Sequence, residues 1–265
     1  MERLAVSFSY MGKVWEQFEA GRSTGGVLAD AQREAQQERL YGAMYAYVAG
    51  TVKALAAADG TVEEGRNRIR EVCRQMPWVS AEQVALRTLL ASGGHDSVEG
   101  IYACPRCGRE VVSEGEEADR ISELTIAEGA LDETMPLKLA YPIEVKDNKG
   151  ETVVSAASIT FRRPSLSDCM AANVFFGLND EVRLAYRINV ESIEAVNGAA
   201  VDKKFRNTWG MYLFDRMDGD DLQTLAEWQA SAGFQTRVMK RCRKCGKTWE
   251  VQLSTMGFFA SGLTR

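Results

Sequence analysis

Cys242-Arg243-Lys244-Cys245-Gly246 repeats the form of an earlier stretch, Cys104-Pro105-Arg106-Cys107-Gly108. Each has two cysteines separated by two residues, so their thiolates can converge on one ion from a tight turn. The glycine after the second cysteine allows a positive φ there, which turns backbone N–H groups toward the sulfurs. Two such knuckles supply a tetrahedral Cys₄ set, the donor set of structural Zn²⁺. Cys104, Cys107, Cys242 and Cys245 are therefore the candidate metal ligands.

The flanks fit the same reading. Ile101-Tyr102 and Val111-Val112 bracket the first knuckle, and Val238-Met239 and Trp249–Leu253 bracket the second. Both read as β-hairpins with a cysteine turn, as in a zinc ribbon. The gap does not fit an ordinary ribbon: 134 residues separate Cys107 from Cys242, against roughly 15–20 in a contiguous site. One ion held by all four implies a domain inserted between two half-ribbons. Other uses of the pairs stay open. Redox dithiols of this form normally open a helix beside a βαβ unit, which the pattern lacks. Disulfides are disfavoured in a reducing compartment. A rubredoxin-like iron site uses similar knuckles, with zinc preferred on ligand softness. Cys73 and Cys169 lie in helical patterns and read as small buried hydrophobes.

Composition narrows the function. The 265 residues are 45% hydrophobic and 26% charged, values of an ordinary globular chain. The most apolar stretch, Ala43–Ala58, contains Lys53 and Gly50 and falls short of a bilayer span of about 20 residues. Met1-Glu2-Arg3-Leu4 lacks the basic start of a secretory signal, so a soluble intracellular product without a membrane segment is expected. His95 is the single histidine and sits in a turn-like segment. That leaves little for triads or histidine bases, and a non-enzymatic role is expected. His95 reads as an exposed loop residue, with a spare-ligand role open.

The fold class read from these patterns is α+β. A helical N-terminal region covers 1–99, and the first knuckle hairpin 100–113. A mixed α/β insertion follows over 114–237, then the second hairpin and tail over 238–265. Residues 1–26 carry Phe8, Tyr10, Trp15 and Phe18 without a clear period. Val27–Ala58 reads as one long or two consecutive helices, whose Tyr41/Tyr45/Val48/Val52/Leu55 stripe faces a core. Thr61-Val62-Glu63-Glu64 reads as a capping box opening a helix to about Arg74, and Ser80-Ala81-Glu82-Gln83 caps another. The stretch from Glu110 to Glu133, with its acidic run (Glu114, Glu116, Glu117, Asp119, Glu123, Glu128), reads as a solvated linker. Asp147–Gly150 is a hairpin turn between strands. Ser165–Asp168 opens a helix toward Phe176, and another covers Asp180–Tyr186. Ile188–Val196 reads as a strand turning at Asn197-Gly198. Two further helices, Lys203–Arg216 and Asp220–Ser231, precede Gly233.

From residue 100 onward the order of motifs resembles the baseplate-hub proteins of T-even-type contractile-tailed bacteriophages, a group that includes hub-assembly and tail-assembly proteins. The residues that carry it are Ile159–Asp168, Ile193–Gly198, the helix around Asp215, Leu222 and Leu225, then Gly233. The terminal Cys242-x-x-Cys245-Gly246, Trp249–Leu253 and Phe258-Phe259 close the series. The resemblance implies a structural part of a virion tail baseplate, assembled in the host cytoplasm, or an assembly chaperone missing from the finished particle. Its implied partners are other tail subunits, or further copies of the chain in a homo-oligomer. It brings no catalytic residues. Phe258 and Phe259 are read as docking anchors for a partner or as closing the ribbon's own core. A rival is a zinc-ribbon nucleic-acid module, on the strength of five basic residues in Lys240–Lys247 with Trp249 beyond. The net charge of −5 and the −2 of a zinc–thiolate centre, which nearby cations offset, weigh against it.

Overall fold

The computed structural model describes all residues except 38, 94, 95, 99, 116, 117, 130–133, 147, 148, 176–180, 254, 256–258 and 260–265. It is a mixed α+β molecule built around two hydrophobic cores.

The chain opens with β1 (Glu2–Tyr10) and β2 (Lys13–Ala20), a hairpin closed by Met11-Gly12, both at positive φ (55° and 73°). This two-residue turn matches the twist of the strands, and Phe8, Trp15 and Phe18 face inward and are buried. The expected helical N-terminal region over 1–99 is thus corrected: it opens with a β-hairpin, in the stretch 1–26 where the sequence shows no helical pattern. Helices α1 (Gly25–Gln36) and α2 (Leu40–Thr51) follow, and the chain then enters β3 (Val52–Ala57) directly. The helical stripe expected through Val52 and Leu55 ends at Thr51, because β3 pairs with β2 on one edge and with β4 (Val62–Glu63) on the other.

The sheet order is β1-β2-β3-β4, so Thr61–Glu64 is strand and turn rather than a helix cap. The next helix, α3 (Arg66–Gln75), begins after Gly65, and α4 (Trp78–Ala91) begins after Pro77. Ser80 and Gln83, read as part of a cap, instead serve the sheet. Ser80 Oγ accepts from Val6 N (2.8 Å) and donates to Val6 O (2.7 Å). Gln83 Oε1 accepts from Ala5 N (2.6 Å), and its Nε2 donates to Arg3 O (2.9 Å). Two buried side chains thus bond the backbone of β1 at Arg3, Ala5 and Val6, beside the N–H of Gly129, which donates to Ala5 O (2.7 Å).

Short strands carry the chain outward: β5 (Ser97–Val98), β6 (Gly100–Ala103), β7 (Glu110–Ser113), β8 (Asp119–Arg120) and β9 (Ile126–Ala127). Strand β5 pairs with β8, and β6 with β7. The acidic run is therefore no solvated linker. Ala118, Ile121 and Leu124 are buried, and the burial of Ile121 and Leu124 in the first core fixes the segment to it.

The second core rests on a long hairpin, β10 (Thr134–Lys146) with β11 (Thr152–Arg162), extended by β12 (Ile193–Val196) and β13 (Ala199–Ala200). Between β11 and β12 run α5 (Leu166–Phe175) and α6 (Glu181–Glu191). The strand expected from Ile188 starts only at Ile193, since helix continues through Glu191. Asn197 (φ 50°) and Gly198 (φ 77°) form the expected turn. A π-helical turn, Arg206–Gly210, joins α7 (Lys203–Phe205) to α8 (Met211–Phe214), and α9 (Gly219–Ala230) follows. Gly210 sits there because a Cβ would lie 2.3 Å from Val190 Cγ1.

Strand β14 (Gly233–Phe234) returns to pair with β9, and β15 (Arg237–Arg241) pairs with β16 (Thr248–Gln252). The cores also meet at α5. Trp78 N donates to Pro164 O (2.8 Å) and Leu166 N to Met76 O (2.9 Å), and Leu166 is buried in the first core. Among the described residues no helix is long and apolar enough to cross a membrane.

Candidate metal centre

The two knuckles share one hydrogen-bond scheme. Cys104 N donates to Arg109 O (2.9 Å) and Gly108 N to Cys104 O (2.9 Å); Cys242 N donates to Lys247 O and Gly246 N to Cys242 O (both 2.8 Å). Gly108 (φ 66°) and Gly246 (φ 70°) take the left-handed conformation that this turn requires. Hairpin β6–β7 presents one pair of thiols and hairpin β15–β16 the other.

The four sulfurs converge. Cys104 Sγ lies 3.6 Å from Cys245 Sγ, and Cys107 Sγ lies 3.7 Å from Cys242 Sγ. All four lie within 4.8 Å of one another. A disulfide would need about 2.05 Å, and all six cysteines are free thiols. An ion with metal–sulfur bonds of about 2.3 Å places tetrahedral sulfurs about 3.8 Å apart. The observed spacings fit that figure, so the cluster is compatible with a structural metal such as zinc.

Backbone N–H groups of the turns lower two of the four thiols, while Cys245 is pushed up to about 11, where the N–H of Lys247 is outweighed by desolvation and the neighbouring sulfurs. The Cys242 thiol is pulled down to about 6, chiefly by the backbone N–H of Cys245, against desolvation and with help from the N–H of Lys244. At Cys104, desolvation opposes ionisation, but the N–H groups of Arg106 and Cys107 outweigh it and lower the thiol. Cys104 and Cys242 are buried, while Cys107 is exposed. The remaining two cysteines are of another kind. Cys73 is pushed up to about 12 by burial, and Cys169 is raised by burial and by the Asp168 carboxylate. Both are fully enclosed in helix packing.

A second link between the two cysteine hairpins carries no signal in the sequence. Lys240 on β15 is buried; its Nζ donates to the Asp119 carboxylate and to Ser113 Oγ (3.0 Å), and lies 5.1 Å from the Tyr102 ring centroid. Tyr102 and Ser113 belong to the first hairpin, and Asp119 to the acidic run beyond it. Lys240 therefore leaves the basic run and becomes an internal tie. A separation of 121 positions gives no local signal for this pair.

The other expected sites resolve differently. Phe259 is fully buried and packs edge-on against Tyr47, with ring centroids 5.5 Å apart. It closes the first core, so it presents nothing to a partner. Phe258 and His95 lie outside the described residues. The sequence also gave no hint of a cleft of about 750 Å³ between the cores, walled by Tyr41, Trp78, Arg163, Asn189, Gln229 and Phe234. Glu82 lines it too, pushed up to about 7 by desolvation against the hydrogen bond it accepts from Thr255.

No protein family, curated protein or solved structure matches this chain.

Proposed function

We propose that the chain is a non-enzymatic structural subunit of a contractile bacteriophage tail baseplate hub, with one zinc ion joining its two half-ribbons. The observation that supports the metal role is the convergence of four thiols, from segments more than 130 residues apart, at tetrahedral spacing. A subunit under mechanical load gains from a cross-link between distant segments. In a reducing cytosol a thiolate-bound metal provides one that persists where a disulfide would be reduced. The hub assignment is supported by the order of motifs between Ile159 and Trp249, carried on β11, α5, β12 and the second knuckle.

Two experiments test the two halves of this reading. Elemental mass spectrometry of protein purified without added metal is expected to give one zinc per chain; iron in its place points to a rubredoxin-like centre. Quantitative proteomics of purified tails is expected to find the protein at fixed stoichiometry. Presence in infected lysate with absence from finished tails identifies an assembly chaperone instead.

A further inference from the structure

Both knuckle tips are basic, and the fold brings them to one place. Arg106 and Arg109 come from the first, and Arg241, Arg243, Lys244 and Lys247 from the second; all six are exposed. Each lies within two positions of a cysteine whose sulfur is within 4.8 Å of the other three. Among the described residues Arg106, Arg109, Arg241, Lys244 and Lys247 form no ion pair. The first knuckle is indispensable to this grouping, since without it the second carries only four of the six.

Charge magnitudes decide whether the tip serves only the metal. Four thiolates on a divalent ion carry −2, which two cations offset; six leave the tip at about +4. Setting those six aside from the formal net charge of −5 leaves −11 on the rest of the chain. The molecule is thus strongly polarised, with a cationic point on an acidic body. The net charge of the remaining chain repels a polyanion on average, which limits attraction to local cationic sites such as this tip.

The character of the tip selects among anions. Between the cysteines stand only Pro105, Arg106, Arg243 and Lys244. The exposed apolar side chains of the hairpins, Ile101, Val112 and Met239, are set back along the strands by three or more positions from the nearest cysteine. A specific protein interface needs an apolar centre, and the tip has none. A phosphodiester backbone asks only for closely spaced cations and exposed guanidinium forks.

We propose that the double-knuckle tip binds the phosphate backbone of nucleic acid without reading its sequence. The inference uses the paired knuckles but not the hub assignment. The test is fluorescence anisotropy of a short mixed-sequence DNA duplex, with a single strand of equal length and polyglutamate as the other probes. Duplex binding is expected to weaken with salt with a log–log slope of up to about −5, and the single strand to show a shallower slope. The double variant Lys244→Gln/Lys247→Gln is expected to retain its metal and to flatten the duplex slope by about 2. Arg66→Gln/Arg70→Gln on α3, which removes the same charge elsewhere, is expected to leave the slope unchanged. The proposal is overturned by absence of DNA binding at about 50 mM salt. It is equally overturned if the tip variant keeps the wild-type slope with its metal intact, or if polyglutamate binds more tightly than either DNA, which assigns the tip to an acidic protein.

Discussion

Lys240 and Asp119 show how much rests on single side chains. Their side chains are 10% and 14% exposed, and each is the other's charge partner. Removing one leaves a buried charge uncompensated, a loss of about 3–5 kcal/mol. Asp119→Ala is therefore expected to lower the urea midpoint sharply, whereas Lys240→Met with Asp119→Leu recovers most of it. Glu82 gives a pH signature. Its folded pKa, about 7, lies above the ordinary value of 4.5. The neutral acid's contribution is thus full below about pH 4.5 and is lost as pH rises through about 7. Glu82→Gln is expected to become more stable than wild type by about 3 kcal/mol above that range, while the two converge in acid; parallel denaturation curves at both ends check it. Neither residue announced itself in the sequence. Lys240 stood inside a basic run and Asp119 inside an acidic one, so composition placed both in solvent.

At the scale of elements, the cysteine hairpins were legible and the N-terminal sheet was not, for physical reasons. A metal site needs fixed ligand spacing and a permissive glycine, and both are written locally in Cys104–Gly108 and Cys242–Gly246. The β1–β2 hairpin turns at Met11-Gly12, where a methionine takes a positive φ that asparagine or aspartate usually signals. Strand β3, Val-Lys-Ala-Leu-Ala-Ala, has a helix former at most positions; it is strand because β2 and β4 flank it. In β3, pairing with β2 more than thirty residues earlier overrode local preference. Ser80 follows the same logic, looking like a cap and acting as a rung on β1. Ser80→Ala leaves Val6 N–H and C=O unpaired in the interior, at a cost of about 2–4 kcal/mol for the two. Hydrogen exchange of the Val6 amide is expected to speed up more than that of amides in the β10–β11 hairpin. Equal acceleration of both would mean that Ser80 supports the whole molecule rather than the edge.

Across the whole molecule, the metal would cross-link a loop of 134 residues. In the chain-entropy description, closing a loop of that length stabilises by about 5 kcal/mol. Cys107→Ser or Cys245→Ser is expected to lower metal content and melting temperature together. Chelation is expected to do the same to wild type, and full metal occupancy in both single mutants would refute the shared site. The two half-sites also have a history in time. Ribosomes add about 5–20 residues per second, so the first cysteine pair waits roughly 7–30 seconds for the second to be made. Phe259 and its place on Tyr47 come later still. During that interval the nascent chain displays an open dithiol and an incomplete first core. A translation stall or early termination in this window would leave a product with half of its ligands, exposed to oxidants and to competing metals.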